Sequence, residues 1–351
     1  MSSDIIWRPP QPEGDRREFL RYAGGTLAAA AGIGALALGT HDGRNGAYYF
    51  RDMANANAVV LPRYDLKNPQ GSNKVVAVHG TDAAMLVQRA FAAMGGLDKF
   101  ISPGDVVLLK PNVAFDRPPE MGATTSPAVL TAVANEVRRC GAKRILIADN
   151  PINQPEGCFA KSGITEVARA TGCEIVLPTP DRFVDLAVGR TKENGQLVGE
   201  PGKALDRWQV FHEPLALANK VIGVAPCKDH NLSGASMTMK NFYGLLGGRR
   251  NQFHQCIHDV IADFPHMLKP TLVVLDATRI LMANGPTGGS RADVNENGNT
   301  VVVGTDMVAV DAYGWTLMGR RTRPPDYLGK AKARHLGEAD LKHVAIEEFA
   351  V

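Results

Sequence analysis

The residues from Cys227-Lys228-Asp229-His230 to Lys240-Asn241 gather a thiol, an imidazole and two ammonium groups around a short segment of Gly, Ser, Thr and Met. They follow Val221-Ile222-Gly223-Val224-Ala225, an apolar run that reads as a buried strand. At a strand tip, an imidazole and an amine can move a proton or hold an anion, so His230 reads as a base and Lys240 as the group beside it. A second cluster, His254-x-Cys256-x-His258, sets two histidines at i and i+4. On a regular helix those two share a face, the spacing of helical metal sites, while Cys256 points elsewhere. With His230 on a nearby loop they form a candidate three-ligand site for a metal ion whose identity the sequence leaves open.

Groups of this kind need a frame that brings distant segments to one edge. The sequence supplies strand and helix in alternation. Lys74–His79, Gly104–Lys110, Lys143–Ala148 and Cys173–Leu177 read as strands, with helical patterns over 82–96, 127–141 and 163–172 between them. Strand character returns at 219–226, 271–278 and 299–306, and 307–319 reads as the last long helix. Continuous Val/Ile/Leu strands alternating with helices predict an α/β fold with a mainly parallel, Rossmann-like sheet covered on both faces. Residues 38–72 read as a linker, 73–325 as the α/β domain, 181–215 as a polar excursion that forms a small antiparallel hairpin or a lid, and 326–351 as a C-terminal tail.

In such sheets ligands bind beyond the carboxyl ends of the strands, so one cleft is expected there. Those ends offer Lys110 and Asn112, then Asp149, then Lys228 through Asn241, then Asp276 with Asn284 and Gly285 in "MANGPTGG". Taken alone, any of these polar residues could cap the next helix. Lys110 leaves a buried strand, where an ammonium is costly without an anion beside it; a bound anion and Asp149 are both open as its partner. Lys240 and Asn241 could likewise sit on a helix, with Lys240 paired to Asp149 or Asp276. "GPTGG" at 285–289 could cradle a phosphate through backbone N–H groups, although it matches neither a P-loop nor a dinucleotide fingerprint.

Composition narrows the function classes. Of 351 residues, 44% are hydrophobic and 21% charged, with a net charge of +3, as in ordinary globular proteins. Aromatic residues are only 6% and the basic residues are scattered, which argues against nucleic acid as a partner. Arg249-Arg250 and Arg320-Arg321-Thr322-Arg323 read as solvated faces. The five cysteines include no CxxC pair, which argues against an iron–sulfur cluster on this chain's own cysteines. The N-terminus carries Arg16-Arg17 ahead of an Ala/Gly-rich apolar run from Gly24 to Leu38, with Ala35-Leu36-Ala37 as a small-residue cleavage site. Residues 1–37 therefore resemble a twin-arginine export signal, which makes the twin-arginine translocase a partner and places the folded protein in the periplasm or outside. An uncleaved segment that anchors the protein at the membrane is the alternative, although the run is short for a span.

The series "GDVVLLKPNVAF", "TTSPAVLTAVANEVRRCGAKRILIADNP", "KDHNLSGASMTMKNFYGLLGG", "HQCIHDVIADF" and "GTDMVAVDAYG" closely resembles the family catalogued as domain of unknown function 362, over roughly residues 73–320. Some members of that family carry a ferredoxin-like extension that this sequence lacks. His230-x3-Gly234-x5-Lys240 is also similar to a loop of nickel-dependent lactate racemase. That resemblance implies Lys240 as the residue that attaches a nickel-bearing nucleotide or binds an anion, His230 as acid or base, and His254 or His258 as a metal ligand. The sequence thus predicts a small anionic ligand or metal-bearing cofactor and racemase- or isomerase-like proton transfer beside a carboxylate. Two alternatives stand: a non-catalytic redox or metal-handling protein in which Cys227, Cys256 and histidines hold an ion, and a binding subunit of a membrane-associated complex with a redox partner.

Overall fold

The computed structural model describes residues 59–65, 74–194, 196–320 and 322–351. The twin-arginine pattern of residues 1–37, and residues 38–58 and 66–72 of the expected linker, lie outside them. Fourteen strands and nine helices follow in chain order among the described residues. The first half holds β1 (Lys74–His79), α1 (Ala83–Ala93), β2 (Val106–Pro111), α2 (Pro127–Arg139), β3 (Arg144–Ala148), α3 (Pro155–Lys161), α4 (Ile164–Thr171) and β4 (Glu174–Val176). Next come β5 (Phe183–Ala187), β6 (Thr191–Glu193), β7 (Gln196–Val198), β8 (Arg207–Phe211) and α5 (Glu213–Leu217). The second half holds β9 (Lys220–His230), β10 (Gly234–Ser236), α6 (Thr238–Asn241), α7 (Ile257–Met267), β11 (Leu272–Leu281) and β12 (Val294–Asn295). It closes with β13 (Thr300–Gly304), α8 (Met307–Leu317), α9 (Asp326–Ala333) and β14 (Ala345–Ala350).

The main sheet runs β14-β1-β13-β11-β9-β2-β3-β4. All neighbours along it are parallel except at β13, which is antiparallel to β1 and to β11. The fold is α/β with a mainly parallel sheet, as the continuous apolar strands predict. Successive residues of β2 show why those runs are apolar throughout. Leu108 faces one core layer, with α7, α8 and α9, while Val107 and Leu109 face the other, with α1, α2 and α4. A strand buried on both faces has no position for a polar side chain until it reaches its end.

The strand order changes direction at β2. The chain passes from β2 to β3 and β4 on one side, while β9 pairs with β2 on the other. The crevice outside the carboxyl ends at such a reversal is where open α/β sheets admit a ligand.

Three expectations change in detail. β9 does not end at residue 225; it continues to His230 and folds back onto β10, so the polar stretch is a hairpin stem rather than a flexible loop. The excursion forms two antiparallel pairs, β5 with β8 and β6 with β7. Residues 326–351 are a helix and the parallel edge strand β14 rather than a tail. On β14, Ile346 packs against one core layer and Phe349 against the other, as the alternation of side chains along a strand requires.

Asp263, on α7, ties the excursion down. Its buried carboxylate accepts the backbone N–H groups of Lys203 (2.9 Å), Ala204 (2.7 Å) and Leu205 (2.8 Å) and pairs with Arg334. Asp263→Asn should cost about 2–4 kcal/mol, because an amide of the same shape turns a donor toward donors and loses the charge facing Arg334. Urea unfolding of the two proteins checks it.

Candidate functional site

A cavity of about 240 Å³ opens at the tips of β2, β3 and β9. Lys110, Lys228, Lys240 and Arg250 all line it, and among the described residues Asp149 is the only carboxylate that does. Each element delivers its share for a local reason. On β9, side chains alternate, so Lys228 and His230 reach the cavity while Cys227 turns into the core. On α6, Lys240 and Asn241 are set by Asp311 of α8, whose carboxylate accepts the Thr238 N–H (2.7 Å), the Thr238 hydroxyl (2.5 Å) and the Met239 N–H (3.1 Å). Burial pushes the Asp311 carboxyl up to about 7.

The floor is a closed network. Lys110 Nζ donates to Asp149 Oδ1 at 2.6 Å, to the Pro111 carbonyl at 2.8 Å and to Asn241 Oδ1 at 3.1 Å. Asp149 Oδ2 accepts the Val113 N–H at 2.7 Å, and Asn241 Nδ2 returns to the Lys110 carbonyl at 2.9 Å. Lys110 and Asp149 are fully buried. Desolvation draws the Lys110 ammonium below its ordinary pKa and the Asp149 charge draws it back. Of the two partners open to Lys110, the structure thus provides the carboxylate. Gly244 closes over this pair. A Cβ there would collide with the Asp149 carboxylate and stand 2.8 Å from Lys110 Nζ, so only glycine lets the backbone approach so closely.

The other cations lack a carboxylate. Lys228 donates to the Ala123 carbonyl and, at 3.4 Å, to Asn112 Oδ1, with its Nζ 5.0 Å from the centre of the Phe115 ring. Burial, and next the Lys240 charge, hold it well below its ordinary pKa. Arg250 spends its donors on backbone carbonyls, those of Asn150 and Pro151 at 2.8 Å and Leu246 at 3.1 Å. Lys240 has no hydrogen bond or ion pair among the described residues, and its Nζ stands 4.9 Å from the centre of the Tyr243 ring. Neither Asp149 nor Asp276 pairs with it. Burial first, then the Arg250 and Lys110 charges, bring it down to about 7.

His230 is held through one of its ring nitrogens. Its Nδ1 faces the N–H groups of Leu232 (3.2 Å) and Ser233 (3.4 Å), so Nδ1 accepts and the ring proton sits on Nε2. Burial, with the Lys240 and Lys228 charges, pushes its pKa down to about 2. The ring is therefore neutral and presents its Nε2–H, an arrangement that can donate a hydrogen bond to an anion.

Lys110, Asn112, Asp149, Lys228, His230, Lys240, Asn241 and His254 come together at the cavity. Asp276, Asn284 and Gly285 do not. Asp276 accepts the Ser126 N–H (2.8 Å) at the start of α2 and the Thr278 hydroxyl (2.6 Å), the capping role open to any strand-end carboxylate. Asn284 Nδ2 donates to Asp293 Oδ1 (2.8 Å), and the Gly285 N–H to Asp229 Oδ2 (2.8 Å). In the expected phosphate cradle at 285–289, the Gly285 N–H is taken by Asp229, the Gly288 N–H by the Asn284 carbonyl (3.0 Å) and the Gly289 N–H by Asp293 (2.7 Å), so three of its donors are occupied.

The histidine pair does not share a helix face. Arg250–Cys256 is a 3₁₀ turn, Cys256 leaves helical geometry (φ −132°, ψ 39°), and α7 starts only at Ile257. His254 lies parallel to the Tyr243 ring at the cavity rim, while His258 stacks on Tyr327 and Cys256 lies outside the cavity lining. Among the described residues no three His, Cys, Asp or Glu side chains are grouped to hold a metal ion. The donors as placed do not fit the metal site expected from the spacing.

Three contributors escape the sequence reading. Arg250 sits in an Arg-Arg pair that reads as solvated, yet it lines the cavity; Arg249 alone is exposed. Tyr243 supplies a wall, and Asp311 acts from a helix more than seventy residues away. Only the bulk of "NFYG" hinted at the tyrosine, and nothing local hinted at Asp311.

The sequence model of the family described as Domain of unknown function (DUF362) matches residues 107–316. The thylakoid-associated protein sll1697 of Synechocystis sp. is 23% identical over 226 residues, which cover 62% of this chain and 64% of that protein. The match thus spans less than two thirds of the relative's length. Among solved structures, the lactate racemase apoprotein of Thermoanaerobacterium thermosaccharolyticum aligns at 12% identity and a TM-score of 0.36, covering 70% of this chain and 58% of that one. A Thermotoga maritima protein aligns at 11% identity and 0.32, covering 57% and 52%. Likenesses that remote carry no argument about chemistry.

Asp149→Ala should destabilise the protein by about 3–5 kcal/mol by stranding a buried ammonium, and Lys110→Met/Asp149→Leu should recover part of that loss. Gly244→Ala should also destabilise, through the carboxylate it displaces. Thermal and urea unfolding of the variants check both.

Proposed function

The chain belongs to the domain of unknown function family DUF362, and from that premise we propose that its cavity binds a small carboxylate and exchanges a proton at the carbon beside it. One observation carries the reading: four cationic side chains line a half-enclosed cavity whose single carboxylate is already paired with Lys110. Cations taken out of water require a counter-charge or lose their protons. A carboxylate between Lys228, Lys240 and the His230 Nε2–H supplies that charge.

Lys240 is the group suited to move the proton. In the free protein its amine is about half protonated near neutral pH, so both its acid and its base form are within reach. Lys228 holds the carboxylate, and His230 donates to the oxygen on which charge develops when the proton leaves carbon. The twin-arginine pattern supports a second part of the proposal, export of the folded protein, and rests on sequence alone. A binding subunit at a membrane is the second reading. It is favoured by the name of the matched Synechocystis protein, which is thylakoid-associated, and by the N-terminal apolar run. No helix of the described residues is long and apolar enough to cross a membrane.

Calorimetric titration with small carboxylates should show binding that takes up protons. Anion affinity is greatest with the amines charged, so it should fall roughly tenfold per pH unit as pH rises above about 7, the range in which Lys240 discharges. Lys240→Met should weaken binding near pH 7 by about tenfold or more, flatten that pH dependence, and slow solvent deuterium exchange at the α-carbon by about 100-fold or more. Absence of both binding and exchange, in a protein that sediments with membranes, would replace this reading with the subunit.

A further inference from the structure

Five large hydrophobic side chains are exposed among the described residues: Met85, Ile152, Leu217, Leu232 and Val351. Two of them, Ile152 (63% exposed) and Leu232 (48%), line the basic cavity. Isolated exposed apolar residues need no explanation, but two at the mouth of one charged cavity form a local pattern. Both backbones are fixed. The Ile152 N–H donates to the Ala114 carbonyl at 2.9 Å, and the Leu232 N–H to His230 Nδ1 at 3.2 Å. The same cavity is lined by Phe115, whose ring faces Lys228, and Tyr243, whose ring faces Lys240, both less exposed than Ile152 and Leu232. Burial thus falls from the ammonium groups of Lys110 and Lys228, through the two aromatic rings, to the exposed aliphatic side chains of Ile152 and Leu232.

We infer that the ligand is an amphipathic acid, with its carboxylate on Lys228 and Lys240 and an aliphatic chain that leaves between Phe115 and Tyr243 to cover Ile152 and Leu232. This rests on the reading of the cavity as a carboxylate site and adds the chemical class of the molecule. A chain of a few carbons removes apolar surface of its own and of the rim from water, with both terms favouring binding. A fully polar acid would leave the rim wet. The volume of about 240 Å³ accommodates the head and the first few methylenes, so a longer chain extends into the open mouth.

The test measures the affinities of straight-chain carboxylates from acetate to octanoate for the full-length protein and for the exposed-position variant Ile152→Asn/Leu232→Asn. The wild type should gain about threefold to fourfold in affinity per methylene over the first several carbons. In the double variant the gain should fall below about 1.5-fold per methylene for the chain lengths that reach the rim. Acetate, too short to span the cavity, reports separately on the floor. Acetate binding with no dependence on chain length overturns the inference and leaves the carboxylate site standing. A gain that survives unchanged in the double variant also overturns it, since the chain would then lie elsewhere. Failure of every carboxylate to bind removes the carboxylate site and the inference with it.

Discussion

The buried pair of Lys110 and Asp149 is the constraint on which the site depends. It sits where β2 and β3 end, and Asn241 joins it to the segment that carries Lys240. Because that pair is internally neutral, its carboxylate is not available to the remaining cations. Lys228 and Arg250 are satisfied by carbonyl oxygens, which accept hydrogen bonds without cancelling charge, and Lys240 meets nothing comparable among the described residues. One ion pair thus welds the strand tips together and also leaves the cavity positive.

A positive cavity with low-lying amines has two resting solutions. It can shed protons, which is the direction in which burial drives Lys228 and Lys240, or it can hold an anion and keep them. The two are close in free energy when an amine titrates near neutral pH, so a ligand can shift the balance cheaply. That same closeness is what proton transfer needs. His230 is set apart from this balance, because two backbone N–H groups hold its tautomer and burial, with the nearby cations, keeps the ring neutral.

Much of the frame is legible in the sequence because strands buried on both faces must be apolar along their length. The first polar residues after such a run mark the strand tip. That rule finds Lys110, Asn112, Asp149 and Lys228 at the cavity, and the next segment adds Lys240 and Asn241. It misplaces Asp276, Asn284 and Gly285, since an Asp or Asn at a strand end serves a helix cap or a turn as readily as a ligand. The paired histidines mislead because i, i+4 spacing has meaning only within one regular helix, and the chain breaks geometry at Cys256. Arg250 is invisible for a further reason: what holds it are carbonyls of Asn150 and Pro151, a hundred residues earlier, and carbonyls carry no sequence signature.

The central claim is that an uncompensated, half-neutral Lys240 faces an anion site. Nuclear magnetic resonance titration of lysine side chains, with the Lys240 signal assigned by its loss in Lys240→Met, measures this directly. The account predicts a pKa of about 7 in the free protein and a clear rise when a small carboxylate is added, because the bound charge favours the ammonium. An ordinary lysine value near 10.4 that does not move on addition of any carboxylate would contradict it.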